Sequence, residues 1–235
     1  MALDKNIFLI HKSYDSLNAF EKVCYERWRY MNQDFEWGFL TDKDIDPFIE
    51  SNWPKDVSVY KDMPTAIRAS IQRLGSVYRD GGLYADCDLY PLKKVSDFLK
   101  PSNDLDFFYY LGEPKKVHDY LFYASRNHPL IWELIDRTFH VFKNNSQESL
   151  GTCWKGWIFS CTIHMWSDVL ETKGITARSG CADSIHELRD NVDACHTIHF
   201  SAEHWLRERR WRGSVEREVE DCFNTLSAIK NTHGL

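Results

Sequence analysis

Between Arg73 and Lys93 the chain reads RLGSVYRDGGLYADCDLYPLK, a helical pattern that meets two glycines and leaves them as a strand. The helix AIRASIQRLGSVYRD is stopped by Gly81-Gly82, where glycine takes the left-handed cap conformation. The strand LYADCDLY follows with no room for a connecting loop. A helix delivered directly into a strand is a unit of α/β architecture. The preceding residues fit that frame. KNIFLIH (5–11) is a short apolar run suited to a buried strand, and SLNAFEKVCYERWRYMN carries Leu17, Phe20, Val23, Cys24, Trp28 and Met31 at helical spacing. FEWGFLTD forms a second strand, ending at Thr41-Asp42, a cap for the helix DKDIDPFIESN. A third short strand is expected at VSVY (57–60). LDFFYYL (105–111) and DYLFYAS (119–125) are further strands, and PLIWELIDRTFHVFKNN is an amphipathic helix starting at Pro129. The remainder reads as mostly helical. The expectation is an α/β fold with a mostly parallel central sheet flanked by helices and a helical C-terminal part.

A chain of 235 residues can bury one sizeable core, so residues 1–235 are expected to form a single domain. A net charge of −6 argues against nucleic-acid and anionic-membrane partners. The basic run RERRWRGSVER (207–217) is interleaved with acids and reads as a solvated helix face. No signal-peptide pattern opens the chain, and no apolar run approaches the ~20 residues that span a bilayer. Seven cysteines without a C-x-x-C pair indicate neither zinc nor a disulfide framework. These features predict a soluble protein of a reducing compartment, the cytoplasm, without a transmembrane segment. Cys24, Cys153 and Cys161 lie among apolar neighbours and are expected to be small buried hydrophobes.

The two aspartates in LYADCDLY bear on function. In a continuous strand, positions i and i+2 share a face, so Asp86 and Asp88 would project together and Cys87 away from them. Two such carboxylates repel and lose hydration unless a cation lies near. Hard oxygen ligands suit Mg²⁺ or Mn²⁺, and open α/β sheets place ligands where strands end, here before Pro91. Taken alone, Asp-x-Asp is a weak signal, and two exposed acids on a strand are the commoner case.

The whole segment resembles the signature of the DXD-containing sugar transferases of glycosyltransferase family 32. Their pattern runs S-D-x-x-R, then a stretch ending in GG, then Y-x-D-x-D and a Pro or Lys turn. Arg73, Gly81, Gly82, Tyr84, Asp86, Asp88 and Pro91 fall at matching positions. Glucosylating bacterial toxins share this core. IFLIHKSY, FEWGFLTD and NHPLIWEL are looser matches, as is IHFSAEHW, with His199 six positions before Trp205. The resemblance covers roughly residues 5 to 205 and is strong over 66–93. In its compactness the chain is similar to bacterial and chlorella-virus-encoded members, the latter acting in the host cytoplasm.

The resemblance implies a GT-A fold, with a nucleotide-binding half at about 1–100 and an acceptor-side, helical part at about 101–235. It implies a hexosyltransferase that moves a sugar, with retention, from a nucleotide diphosphate donor to a glycan or glycoprotein acceptor. The donor is expected to be a UDP-sugar, with a GDP-sugar as second choice, and the cofactor Mn²⁺ or Mg²⁺. Asp88 would bind the metal, and Asp86 the metal shell and the ribose. His199 would add a ligand or a diphosphate contact. Arg73, with Arg68 on the same helix, would contact donor sugar or diphosphate. Ile10, His11 and Tyr14 would form the nucleotide cleft, with Tyr14 or His11 stacking on the base, and Trp205 would close over the diphosphate.

The chain departs from the pattern at Ala69-Ser70, where relatives carry Ser-Asp. That aspartate contacts donor-sugar hydroxyls in the relatives. Ser70 therefore puts glucose and mannose in doubt and favours a deoxy sugar or another ring pose. No residue stands out as catalytic base or nucleophile; Asp104, Asp106 and Glu113 follow the motif without distinguishing themselves. A front-face retaining path needs no base, since the leaving phosphate can take the acceptor proton. A haloacid-dehalogenase phosphohydrolase fits poorly, because Tyr90 stands where that motif has Thr or Val. The alternative of another class is a non-catalytic carbohydrate- or nucleotide-binding module on a transferase fold.

Overall fold

The computed structural model describes residues 4–11, 13–99, 105–110, 117–144, 178–182 and 197–199. Strand β1, Asn6–Ile10, shows how the layers arise. Ile7 and Leu9 point into one core and Phe8 into another, so the strand is buried on both faces. Helix α1, Ala19–Met31, follows after a short turn. Its start is closed reciprocally: Asn18 Oδ1 accepts the Glu21 N–H at 2.8 Å, and the Glu21 carboxylate accepts the Asn18 N–H at 2.8 Å. Strand β2 is Glu36–Leu40 and α2 Asp42–Asn52. At the cap between them the Asp44 carboxylate accepts both the Thr41 N–H, at 2.8 Å, and the Thr41 hydroxyl, at 2.7 Å.

Helices α3, Val57–Asp62, and α4, Thr65–Asp80, lead to strands β3, Gly82–Ala85, and β4, Leu89–Pro91. A short α5, Val95–Phe98, precedes β5, Leu105–Tyr110, β6, Val117–Ala124, and α6, Pro129–Asn144. Strands β7, Arg178–Ala182, and β8, Thr197–His199, complete the described elements. The sheet order is β2-β1-β3-β6-β5-β7-β8-β4. Strand β1 runs parallel to β2 and β3, and β7 parallel to β5 and β8, while β6 is antiparallel to β3 and β5 and β4 to β8. This is the expected α/β architecture with a mostly parallel sheet. One core packs α2, α3, α4 and α6 on one face; the other packs α1 and α5 on the opposite face. Several aromatics serve the first core, where Trp53 stacks on Trp132 with ring centroids 4.1 Å apart.

The structure corrects the sequence reading in three places. VSVY belongs to helix α3, not to a strand. Its β-favouring residues are overruled by packing: Tyr60 is fully buried beside Phe139, and its hydroxyl donates to Asp46 at 2.6 Å. LYADCDLY is not one strand, because the ladder breaks between Ala85 and Leu89. Strands β7 and β8 lie in a stretch read as mostly helical, their short runs having been too brief to separate from helix by pattern. The rest of that helical reading lies outside the described residues.

The paired glycines hold the helix-to-strand junction. Gly81 has φ 70° and Gly82 φ 121°, both left-handed-side conformations that side chains resist. A Cβ on Gly81 would come within 2.7 Å of the Arg126 backbone nitrogen, and one on Gly82 would collide with the Asn6 carbonyl oxygen. Asn6 Nδ2 in turn donates to the carbonyls of Asp80 and Gly81, each at 3.1 Å. The junction is thereby pinned beside the start of β1.

Candidate functional site

The parallel strands β1, β2 and β3 all deliver their C-terminal ends to one edge of the sheet, at Ile10, Leu40 and Ala85. His11, Thr41 and Asp86 are the residues that leave it, and the His11 N–H donates to the Leu40 carbonyl at 3.1 Å. This edge is where an open α/β sheet holds its ligands.

Asp86 and Asp88 are placed by a turn and not by the pleat of a strand. The Asp86 N–H donates to the Tyr120 carbonyl of β6 at 2.9 Å, and the Leu89 N–H closes back on the Asp86 carbonyl at 3.1 Å. The Asp86 carboxylate is claimed from below. Its Oδ1 accepts the Tyr84 hydroxyl at 2.5 Å and lies 3.1 Å from the Arg73 guanidinium. That guanidinium also sits over the Tyr84 ring, 5.3 Å from its centroid. Arg73 reaches the turn because α4 runs alongside β3, with Ile67, Ile71, Leu74 and Val77 buried in its inner face. Burial pushes the Tyr84 phenol well above the usual tyrosine range; Arg73 opposes that shift and Asp86 adds to it. Tyr84 is therefore a standing hydrogen-bond donor to Asp86.

Asp88 is half-buried at the outer end of the same turn. Between the aspartates, the buried Cys87 thiol donates to the Ile10 carbonyl at 3.7 Å, tying the turn to the end of β1. Burial raises the Cys87 thiol pKa, as does the Asp86 charge, and burial with Asp88 does the same for Cys24 of α1. Cys24 is fully buried, as expected; Cys153 and Cys161 lie outside the described residues. His199 is the last residue of β8 and stands in register with Leu89, the residue after Asp88.

The other candidates are distributed around this edge. Ile10 ends β1, and His11 Nδ1 lies 2.9 Å from Ser16 Oγ. Tyr14 occupies the turn before α1, packs edge-on against Tyr25 with ring centroids 5.2 Å apart, and donates to Glu26 at 3.1 Å. Its ring is thus engaged with α1. Arg68 lies 3.8 Å from Asp42 at the start of α2. Ser70, one turn before Arg73, is buried at 3% exposure. Trp205, Asp104 and Glu113 lie outside the described residues, and only the backbone of Asp106 is described. Among the described residues, no group of three or more His, Cys, Asp or Glu side chains is placed to hold a metal.

Sequence reasoning missed three features. Tyr84 was legible as a motif position but not as the partner of Asp86. Trp28 of α1 donates its indole N–H to the Leu89 carbonyl at 2.9 Å, while the sequence marked it only as a core residue. Gln72 bridges Asp42, at 3.3 Å, and Asp46, at 2.7 Å, joining α2 to α4 beside Arg68. No pattern in the sequence pointed to that seam.

Residues 19–106 match a family model described as "Glycosyltransferase sugar-binding region containing DXD motif". The matched stretch contains Arg73, Gly81, Gly82, Tyr84 and both aspartates. Among solved structures, the chain is similar to one titled "PaToxG Glycosyltransferase", at 14% identity and a TM-score of 0.55. The similarity covers 73% of this chain and 70% of that one. The likeness is one of fold. No curated protein matches. The family match spans the turn that carries Asp86 and Asp88. Among the described residues, no helix is long and apolar enough to cross a membrane.

Proposed function

We propose that this chain is a metal-dependent glycosyltransferase of the family 32 type. It moves a sugar from a nucleotide diphosphate donor, a UDP-sugar first among candidates, to a glycan or glycoprotein acceptor with retention. One observation carries the reading: the turn bearing Asp86 and Asp88 lies at the C-terminal edge of β1 and β3, with Arg73 placed against Asp86. The donor chemistry fits Mn²⁺ or Mg²⁺ shared with a diphosphate, because such ions take one or two protein carboxylates and complete their shell with phosphate and water. By the resemblance to DXD sugar transferases Asp88 is the direct metal ligand, and Asp86, bonded to Tyr84 and Arg73, serves the shell and the ribose. A divalent ion bound there supplies charge stabilisation for the departing diphosphate.

The chain's own residues do the rest. Arg73 offers a planar cation to paired phosphate or sugar oxygens, and Tyr84 keeps Asp86 oriented in a water-poor setting. Ile10 and His11 line the nucleotide side, and Tyr14 flanks it. Arg68, on α4 near Asp42, is a further donor contact. His199 and Trp205 remain proposed as a diphosphate or metal contact and a cover. With Ser70 in place of the aspartate, the donor sugar is one that does not depend on a carboxylate at that position. No general base is needed if the leaving phosphate takes the acceptor proton.

The second reading, a non-catalytic binding module, draws on the Arg73–Asp86 pair, which satisfies one carboxylate without any ligand. Calorimetry of UDP and GDP with and without Mn²⁺, on wild type and Asp88→Asn, tests the proposal. It expects one nucleotide to bind more tightly with Mn²⁺ and the gain to vanish in Asp88→Asn. Nucleotide binding indifferent to both metal and Asp88 would contradict it.

A further inference from the structure

The turn is held on its far side by helix α1. Trp28 is fully buried, and its indole N–H donates to the Leu89 carbonyl at 2.9 Å. One helical turn later, buried Asn32 donates from Nδ2 to the Trp28 carbonyl at 3.0 Å and accepts the Val95 N–H on Oδ1 at 2.8 Å. Trp28 of α1 and Asn32, the residue that caps the end of that helix, therefore hold both ends of the Leu89–Val95 segment. Leu89 is committed through both backbone groups, its N–H to the Asp86 carbonyl and its C=O to Trp28. Asp86 is anchored through its N–H on Tyr120 and its carboxylate on Arg73 and Tyr84. Asp88 is thus one of only two residues, with Cys87, between fixed points from opposite layers of the sheet.

We infer that Trp28 is a positioning residue for Asp88. Its N–H fixes the Leu89–Tyr90 peptide, one residue beyond the aspartate, so that the carboxylate meets its cation already oriented. This rests on the reading of Asp88 as a metal ligand. Removing groups that orient a metal ligand typically costs 10–100-fold in metal affinity. A purely structural tryptophan would cost stability without that selectivity.

The test compares Mn²⁺ affinity, read by electron paramagnetic resonance with UDP present, in wild type, Trp28→Phe, Trp53→Phe and Asp88→Asn. Trp53 is the control: it is buried in the opposite core at 4% exposure, and its Nε1 has no hydrogen-bond partner among the described residues. Metal-free UDP affinity and melting temperature are read on the same samples. Trp28→Phe is expected to weaken Mn²⁺ at least tenfold with metal-free UDP affinity held within about twofold. Trp53→Phe should lower the melting temperature and leave Mn²⁺ affinity alone. If Trp28→Phe does not fold, benzothienylalanine in place of Trp28 keeps the shape and removes only the N–H. Wild-type Mn²⁺ affinity in that protein or in Trp28→Phe, with affinity lost in Asp88→Asn, overturns the inference alone. Unchanged affinity in Asp88→Asn overturns the metal reading and the inference with it.

Discussion

Arg73 and Asp86 lie 3.1 Å apart, bridging α4 and the turn that follows β3, and the carboxylate oxygen they share also takes the Tyr84 hydroxyl. Both side chains are mostly buried, at 16% and 18% exposure, so solvent screens the pair only partly. The first aspartate of the motif is therefore part of the protein's own scaffold before any ligand arrives.

Arg73→Met and Asp86→Asn should each destabilise the fold, and the double variant should lose less than the sum. Residues in direct contact couple by about 0.5–3 kcal/mol, and a pair this well buried belongs in the upper half of that range. Urea melts of the four proteins measure it. Losses that add to within about 0.3 kcal/mol would mean the pair contributes nothing as a pair.

Gly82→Ala should be costly although it adds one methyl group. The new Cβ would collide with the Asn6 carbonyl at a φ of 121°, where an alanine is strained whatever the space. Strain of this kind costs about 1–3 kcal/mol, and relief by shifting β1 would disturb the edge carrying Ile10 and His11. Thermal melts and nucleotide affinity should fall together. A variant as stable as wild type would show that the junction is less tightly held than the geometry requires.

Much of this was legible in the residues. The run from Arg73 to Pro91 predicted the helix, the glycine cap and the strand, because each is a local effect of spacing and backbone freedom. The apolar run in KNIFLIH predicted a buried strand. What failed was decided by contacts distant in sequence. VSVY became helical because Tyr60 meets Phe139 of α6 and Asp46 of α2. The aspartates left the strand because Tyr84 and Arg73 bind one of them and Tyr120 of β6 takes its N–H. Trp28 carried no local mark of its bond to Leu89, sixty-one positions away.

Alkaline pH should weaken the fold through its buried phenols. The Tyr84 and Tyr60 pKa values are raised in the folded protein, in both cases first by burial, with the Asp46 hydrogen bond next for Tyr60. A group whose folded pKa exceeds its unfolded value of about 10 contributes fully below that pH and loses its contribution as pH rises toward the folded pKa. Above about pH 10 a phenol ionised only in the unfolded chain steepens the decline by about 1.4 kcal/mol per pH unit. Tyr84→Phe should flatten the urea-melt stability curve by that slope. An unchanged slope would mean that the phenol ionises within the folded protein.

Ser70→Asp restores the carboxylate found in the relatives that the motif resembles. Ser70 is buried at 3% exposure, so an uncompensated carboxylate there should cost about 3–5 kcal/mol in ligand-free melts. Donor preference should move toward hydroxyl-rich sugars such as UDP-glucose. An unchanged preference across a donor panel would remove position 70 from the account of specificity.

The central claim is tested most directly by nucleotide release from a panel of UDP- and GDP-sugars with Mn²⁺, comparing wild type with Asp88→Asn. The account predicts release from one donor, dependent on the metal and abolished in Asp88→Asn while metal-free nucleotide still binds. Release that survives either removal of metal or loss of the Asp88 carboxylate would contradict it.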